Sequence, residues 1–226
     1  MSMLGMLMGS VAAAGAATLE FIGSGSVAAA ITTTIPGVSF GAAAVDREII
    51  VVFSTVMTTA SVSSVSIGGV TAAPVTVRSD TLPSNFGLLA CARATVPSGA
   101  SGNIVITYPI APSAVTEYAV YRVTGRVSVG SSPSDTTSAA TSSAATTATL
   151  TSIDTPVGGF VLSAVITQSL VTPTISGAGL TVDTPASANR GFASSLILTA
   201  ANSNASATWT FSSSVRCVCA AFSFSP

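Results

Sequence analysis

The chain contains no histidine and no lysine, and only 7% of its 226 residues carry a charge. Without histidine, Ser-His-Asp and Cys-His nucleophile systems are excluded, as are His-bearing metal sites. Without lysine, Ser-Lys arrangements fall too. The seven basic residues are all arginine: Arg47, Arg78, Arg93, Arg122, Arg126, Arg190 and Arg216. A net charge of −1 leaves no electrostatic footprint for nucleic acid or an anionic membrane. Three cysteines, Cys91, Cys217 and Cys219, are too few for a disulfide framework, and C-x-C without further Cys or His is not a zinc site. They read as small buried hydrophobes in reduced form. The alternative is a disulfide from Cys91 to Cys217 or Cys219.

Acids are equally sparse: Glu20, Asp46, Glu48, Asp80, Glu117, Asp135, Asp154 and Asp183. A carboxylate pair for glycoside hydrolysis would fall on Asp46 and Glu48, with Arg47 opposite. The plainer reading is a charged lip where a strand leaves solvent. Calcium would need clustered acids, and Thr181–Asn189 and Ser132–Asp135 offer one each. No phosphate-binding loop is present and no cofactor is implied. Arg122 reads as a buried or interface member of an ion pair. Tyr108, Tyr118, Tyr121 and Trp209 are the aromatics a sugar site would use, although alternation assigns most of them to a core. No enzyme is expected.

What is abundant is serine, threonine, alanine and valine in alternation. From Thr18 onward the pattern has period two, with turn signals every 8 to 12 residues, as in an all-β sandwich or barrel. TLEFI and VAAAITTTI open it, with GSGS between them as a turn. REIIVVFSTVM (Arg47 to Met57) is apolar on both sides at Ile49 to Phe53 and predicts a strand covered on both faces. In SSVSIGGVTA (Ser63 to Ala72), two adjacent glycines between alternating runs predict a hairpin with a primed turn. NFGLLACARATV, NIVITYP and TEYAVYRVTG continue the series.

The stretch 126–149 is mostly Ser, Thr and Ala and reads as a crossing between sheets, with a polar strand through Thr146–Ser152. GGFVLSAVITQ, GFASSLILTA, ASATWTF and RCVCAAFSF follow. Val218, Ala220, Phe222 and Phe224 should form a core face, matched by Ala207, Trp209 and Phe211. The halves are not alike enough in sequence to be a repeat. The expected architecture is one antiparallel two-sheet sandwich over 18–226, jelly-roll-like, of ten to twelve strands. Ahead of it, residues 1–17 form an apolar segment interrupted by glycines and weak as a membrane span. Met3, Leu4, Met6, Leu7, Met8 and Val11 are the residues expected to dock it on a partner.

Six phrases stand in fixed order: DREIIVVFS, SSVSIGGVTA, ATVPSGASGNIVITY, AVYRVTG, IDTPVGGFVLSAV and a terminal AAFSF. Together, from Val45 to about Phe224, they resemble β-sandwich proteins carried by tailed bacteriophages on the head or tail exterior. The Met/Ala/Gly-rich lead departs from that pattern. The resemblance implies a head decoration, collar or tail-attached structural protein of the virion, in many copies. Its partners would be other virion proteins and copies of itself. The competing reading is a receptor-binding tip or adhesin that takes a host-surface glycan.

Overall fold

A computed structural model describes residues 17–58, 61–82, 85–125, 133–141, 143–183, 190–195 and 198–225, with side chains left out for a few of these at 77–82, 85–86, 190 and 195. Every regular element among them is a β-strand. The first half holds β1 (Thr18–Val27), β2 (Thr32–Ser39), β3 (Glu48–Met57), β4 (Ser64–Ile67), β5 (Val70–Ala72), β6 (Pro74–Leu82), β7 (Asn85–Thr95), β8 (Ser101–Thr107) and β9 (Thr116–Thr124). The second holds β10 (Asp135–Ala140), β11 (Ala145–Thr155), β12 (Phe160–Thr167), β13 (Pro173–Gly177), β14 (Leu180–Val182), β15 (Arg190–Ser195), β16 (Asn202–Val215) and β17 (Cys217–Phe224).

The chain is all-β and antiparallel, as its alternation requires. The described strands form the expected sandwich packing in four sheets. An inner sheet, β1-β9-β3-β7-β6, and an outer sheet, β2-β8-β4-β5, come from the first half. The second half supplies another inner sheet, β10-β17-β12-β15-β14, and another outer sheet, β11-β16-β13. With β6 set aside as an edge extension of β5, the first half has the strand order of a jelly roll. The second half repeats that order: β10 stands where β1 does, β11 for β2, β12 for β3, β13 for β4, and β15, β16 and β17 for β7, β8 and β9. Only the strand after β13 differs, since β14 joins the inner sheet directly and, among the described residues, β5 has no counterpart.

The two inner sheets pack face to face. β12 lies over β3 and β7, β17 over β7 and β6, and β10 over β6. Their strand orders therefore run in opposite directions, as a two-fold axis parallel to the strands would place them. Three cores result. Ile49, Val51, Phe53, Ile104, Ile106 and Tyr108 fill the first sandwich. Ile50, Val52 and Tyr121 meet Phe160, Leu162, Ile166, Phe222 and Phe224 between the sandwiches. Leu150, Val161, Val165, Trp209, Phe211, Cys217 and Cys219 fill the second sandwich.

The doubled layer count has a sequence signature. In a lone two-sheet sandwich each strand keeps one wet face. β3, β12 and β17 are buried at nearly every residue, because each separates two cores. Burying a side chain such as Ile or Phe contributes about 1.5–3 kcal/mol, so these strands dominate the packing energy. Trp209, Ala207 and Phe211 consequently face Cys217, Cys219 and Ala221, not the Val218–Phe224 face expected for them.

Two local expectations also change. GSGS is not a turn: β1 runs through it, with Gly23 to Ser26 paired to Val120 to Glu117 of β9. Gly25 leaves room there for Tyr118, whose hydroxyl lies 2.7 Å from where a Cβ would sit. The turn falls at 28–31 instead. The 126–149 crossing holds β10 and the start of β11, which continues through the polar strand expected at Thr146–Ser152, while 126–132 and 142 lie outside the described residues. The Gly68-Gly69 hairpin is as expected, with φ of 59° and 85°, the positive pair that a type I′ turn demands.

Candidate functional site

The side of the first sandwich is open where β1, at the edge of its inner sheet, faces β2, at the edge of its outer sheet. Both strands bulge at this point. The β1–β9 register shifts between Phe21 and Gly23, and the β2–β8 register shifts between Ile35 and Val38. An unpaired residue bends the strand and re-aims its neighbours. Here Ile22 is the extra residue of β1, while in β2 Pro36 and Gly37 stand against Asn103 alone, and Gly37 takes the positive φ of 62°. Its N–H is held by the Asn103 Oδ1 at 3.1 Å. Between the bulges lies a groove of about 200 Å³, walled by Ile22, Ile35, Pro36, Val38, Tyr118 and Val120. Pro36 donates no N–H, so the edge resists addition of a further strand.

The loops at the end of the same sandwich are built around charge. Arg47 is fully buried. Its Nε donates to Val96 O at 2.8 Å, and its Nη1 to Phe40, Gly41 and Ala42 carbonyls at 3.3, 2.8 and 2.8 Å. Nη2 donates to Ser98 O at 2.8 Å and Gly99 O at 2.7 Å. One guanidinium thus ties two loops together through carbonyls alone, a use of the fixed donor fork that lysine could not reproduce. Arg122 lies alongside, bonded to Glu20 of β1 and, at 3.1 Å, to Phe40 O. Glu20 is thus its ion-pair partner. Asp46 accepts from Gly125 N at 2.6 Å.

Asp46 and Glu48 therefore do not form a carboxylate pair, and Arg47 and Glu48 are not a solvent lip. Glu48 opens β3 and is buried against Arg93 of β7, 3.5 Å away, and Arg93 lies over the Phe224 ring of the other sandwich. A second polar link joins the sandwiches. Tyr121 OH donates to Asp183 Oδ2 at 2.9 Å, and Ser194 Oγ donates to Asp183 Oδ1 at 2.8 Å. Burial pushes the Asp183 carboxyl above its usual value, against the opposing pull of those two hydroxyls. Asp135 and Asp154 hold backbone amides of Thr136, Asp154 and Asn204. Among the described residues no group of His, Cys, Asp or Glu could hold a metal ion.

None of the three cysteines forms a disulfide. Cys91 belongs to the core between the sandwiches and Cys217 and Cys219 to the core of the second, so an inner sheet separates them. Burial raises the Cys91 thiol pKa, while a hydrogen bond with Cys219 lowers that of Cys217 against the effect of burial. Tyr108, Tyr121 and Trp209 are buried, which leaves Tyr118 as the aromatic open to a ligand among the four considered for a sugar site. Met3, Leu4, Met6, Leu7, Met8 and Val11 lie outside the described residues. Sequence reasoning missed the groove and the role of Arg47. The Pro-Gly inside the β2 alternation was the available signal for a bulge.

No known protein family matches the chain, and no curated protein matches it. Among solved structures, it is similar to the crystal structure of the PBSX exported protein XepA. That likeness has a TM-score of 0.26 and 10% identity, over 91% of this chain and 86% of the other. So loose a likeness leaves the fold to rest on the strand order above.

Proposed function

We propose that the chain is a non-enzymatic structural component of a bacteriophage particle, acting through protein–protein contacts in many copies. The observation that supports this reading is where the charge goes. Arg47, Glu48, Arg93, Asp135, Asp154 and Asp183 are all engaged in bonds that hold the fold together. The outer sheet β2-β8-β4-β5 has no charged residue at all, and in the other outer sheet Asp154 is the single one. Such faces gain little colloidal repulsion from one another and suit repeated contact. Each contact can be weak, because fixed geometry multiplies weak contacts. Within this reading the chain is a head decoration, collar or tail-attached protein. Particles purified from the source lysate should contain the chain at a fixed multiple of the major shell or tail protein, measured by quantitative mass spectrometry. Recovery of the chain only as a free monomer would overturn the reading.

A further inference from the structure

The two jelly rolls differ on one side, and the difference points to a binding site. In the second sandwich the side is shut: Thr137 Oγ1 of β10 donates to Thr151 O of β11 at 2.9 Å, and Asp154 N donates to Asp135 Oδ2 at 3.3 Å. The corresponding strands of the first sandwich, β1 and β2, part around the 200 Å³ groove. An apolar cavity of about 150 Å³ already suffices to bind a benzene-sized group. We propose that this groove receives apolar side chains from residues 1–16 of the same chain, with Leu4, Leu7 and Met8 as the inserted groups.

Three observations carry the assignment. The segment has no charge and concentrates Met3, Leu4, Met6, Leu7 and Met8 within six residues, so it matches a groove walled mainly by apolar side chains, with Tyr118, Ser24 and Ser39 beside them. It is joined to β1 at Thr18, four residues from Ile22 in the groove wall, a distance of about 13 Å along a strand. Sixteen residues reach roughly 50 Å when extended, so the tether spans the gap and holds the segment at millimolar effective concentration. The sequence that precedes β10, by contrast, is RVSVGSS, with two valines and nothing larger that is apolar, and in that sandwich Thr137 of β10 bonds directly to Thr151 of β11. An apolar segment left in water invites aggregation, and the groove covers it in the free chain. This inference stands apart from the particle reading and fails or survives on its own.

The test is photo-crosslinking of the full chain at low micromolar concentration, with benzoylphenylalanine placed singly at Leu4, Leu7 or Met8. Peptide mapping should find crosslinks within one molecule, to peptides that contain Ile22, Pro36 to Val38, or Tyr118. Ser39→Trp at the groove rim, and Val38→Arg within it, should each cut that yield by about tenfold, which is near 1.4 kcal/mol. Ser39 is exposed, so its variant keeps the test sound if Val38→Arg misfolds. Crosslinks elsewhere, crosslinks only between molecules, no crosslink from any of the three positions, or indifference to Ser39→Trp would each overturn the proposal.

Discussion

At the corner that leads into the central strand, the two jelly rolls solve one problem by opposite means. In the first, Arg47 N donates to Ala44 O and Val96 N to Arg47 O. In the second, Gly159 N donates to Pro156 O and Leu198 N to Gly159 O, the same two bonds at the equivalent strand positions. What differs is the loop that arrives there. Residues 40–47 form a long connection whose carbonyls turn inward, and the Arg47 side chain supplies donors for them. The connection at 156–159 is short, and no side chain fits: a Cβ on Gly159 would collide with Phe224 O and come within 2.8 Å of Thr155. A long loop with inward carbonyls needs a buried donor fork, whereas a short one needs the absence of a side chain. Arginine and glycine are thus equivalents in position and opposites in chemistry, which is why the duplication is hard to see in the residues.

The largest effect on this comparison should come from Arg47→Met. It keeps most of the aliphatic volume and leaves buried carbonyls without donors, so the expected loss is roughly 3–5 kcal/mol. Urea denaturation measures it, and amide exchange should show the damage concentrated at 40–47 and 96–102. A loss below about 1 kcal/mol, within the range of ordinary surface changes, would mean that the long loop holds itself and that the two corners are not alternatives.

A smaller effect belongs to the link between the sandwiches. Asp183→Ala strands the buried Tyr121 hydroxyl and should cost about 1–3 kcal/mol. The same carboxyl gives a pH signature. Because burial holds its folded pKa above the ordinary 3.8, the native state keeps the proton to higher pH than the unfolded chain does. Stability from this group is therefore complete below the ordinary value and falls as pH rises through the raised one. In Asp183→Asn that slope should vanish from urea midpoints taken across the acid range. An unchanged slope would place the titration on another group and leave the link between the halves purely apolar.

Much of this plan was legible as pattern. The alternation at Phe160–Ile166 and Val218–Phe224 assigned core faces correctly, and the doubly apolar Ile49–Phe53 announced a covered strand. The hairpin at Gly68-Gly69 could be read because positive φ at two successive residues has so few solutions. The second jelly roll was not legible, since strand order depends on which strands pair and pairing leaves no periodicity of its own. GSGS misled for a related reason: glycine marks a turn by default, yet at Gly25 its smallness leaves room for Tyr118 of β9, distant in sequence but its direct partner across the sheet. The groove was the least legible feature, because a bulge is a one-residue slip between partners that the sequence does not pair.

The smallest expected effect tests whether that groove is an opening or a missing seam. Thr137→Val removes the hydroxyl that bonds Thr151 O across the closed side of the second sandwich while keeping its shape. Near the surface such a bond contributes about 0.5 kcal/mol, since water replaces the lost partner. The variant should unfold within that margin of the parent, with faster amide exchange confined to β10 and β11. If the side seam contributes so little, a sandwich of this kind does not need it, and the first sandwich can part β1 from β2 at almost no cost. Were Thr137→Val to cost several kcal/mol instead, closure would be part of the fold's stability. The bulges at Ile22 and Pro36 would then mark a weak place that something else must cover.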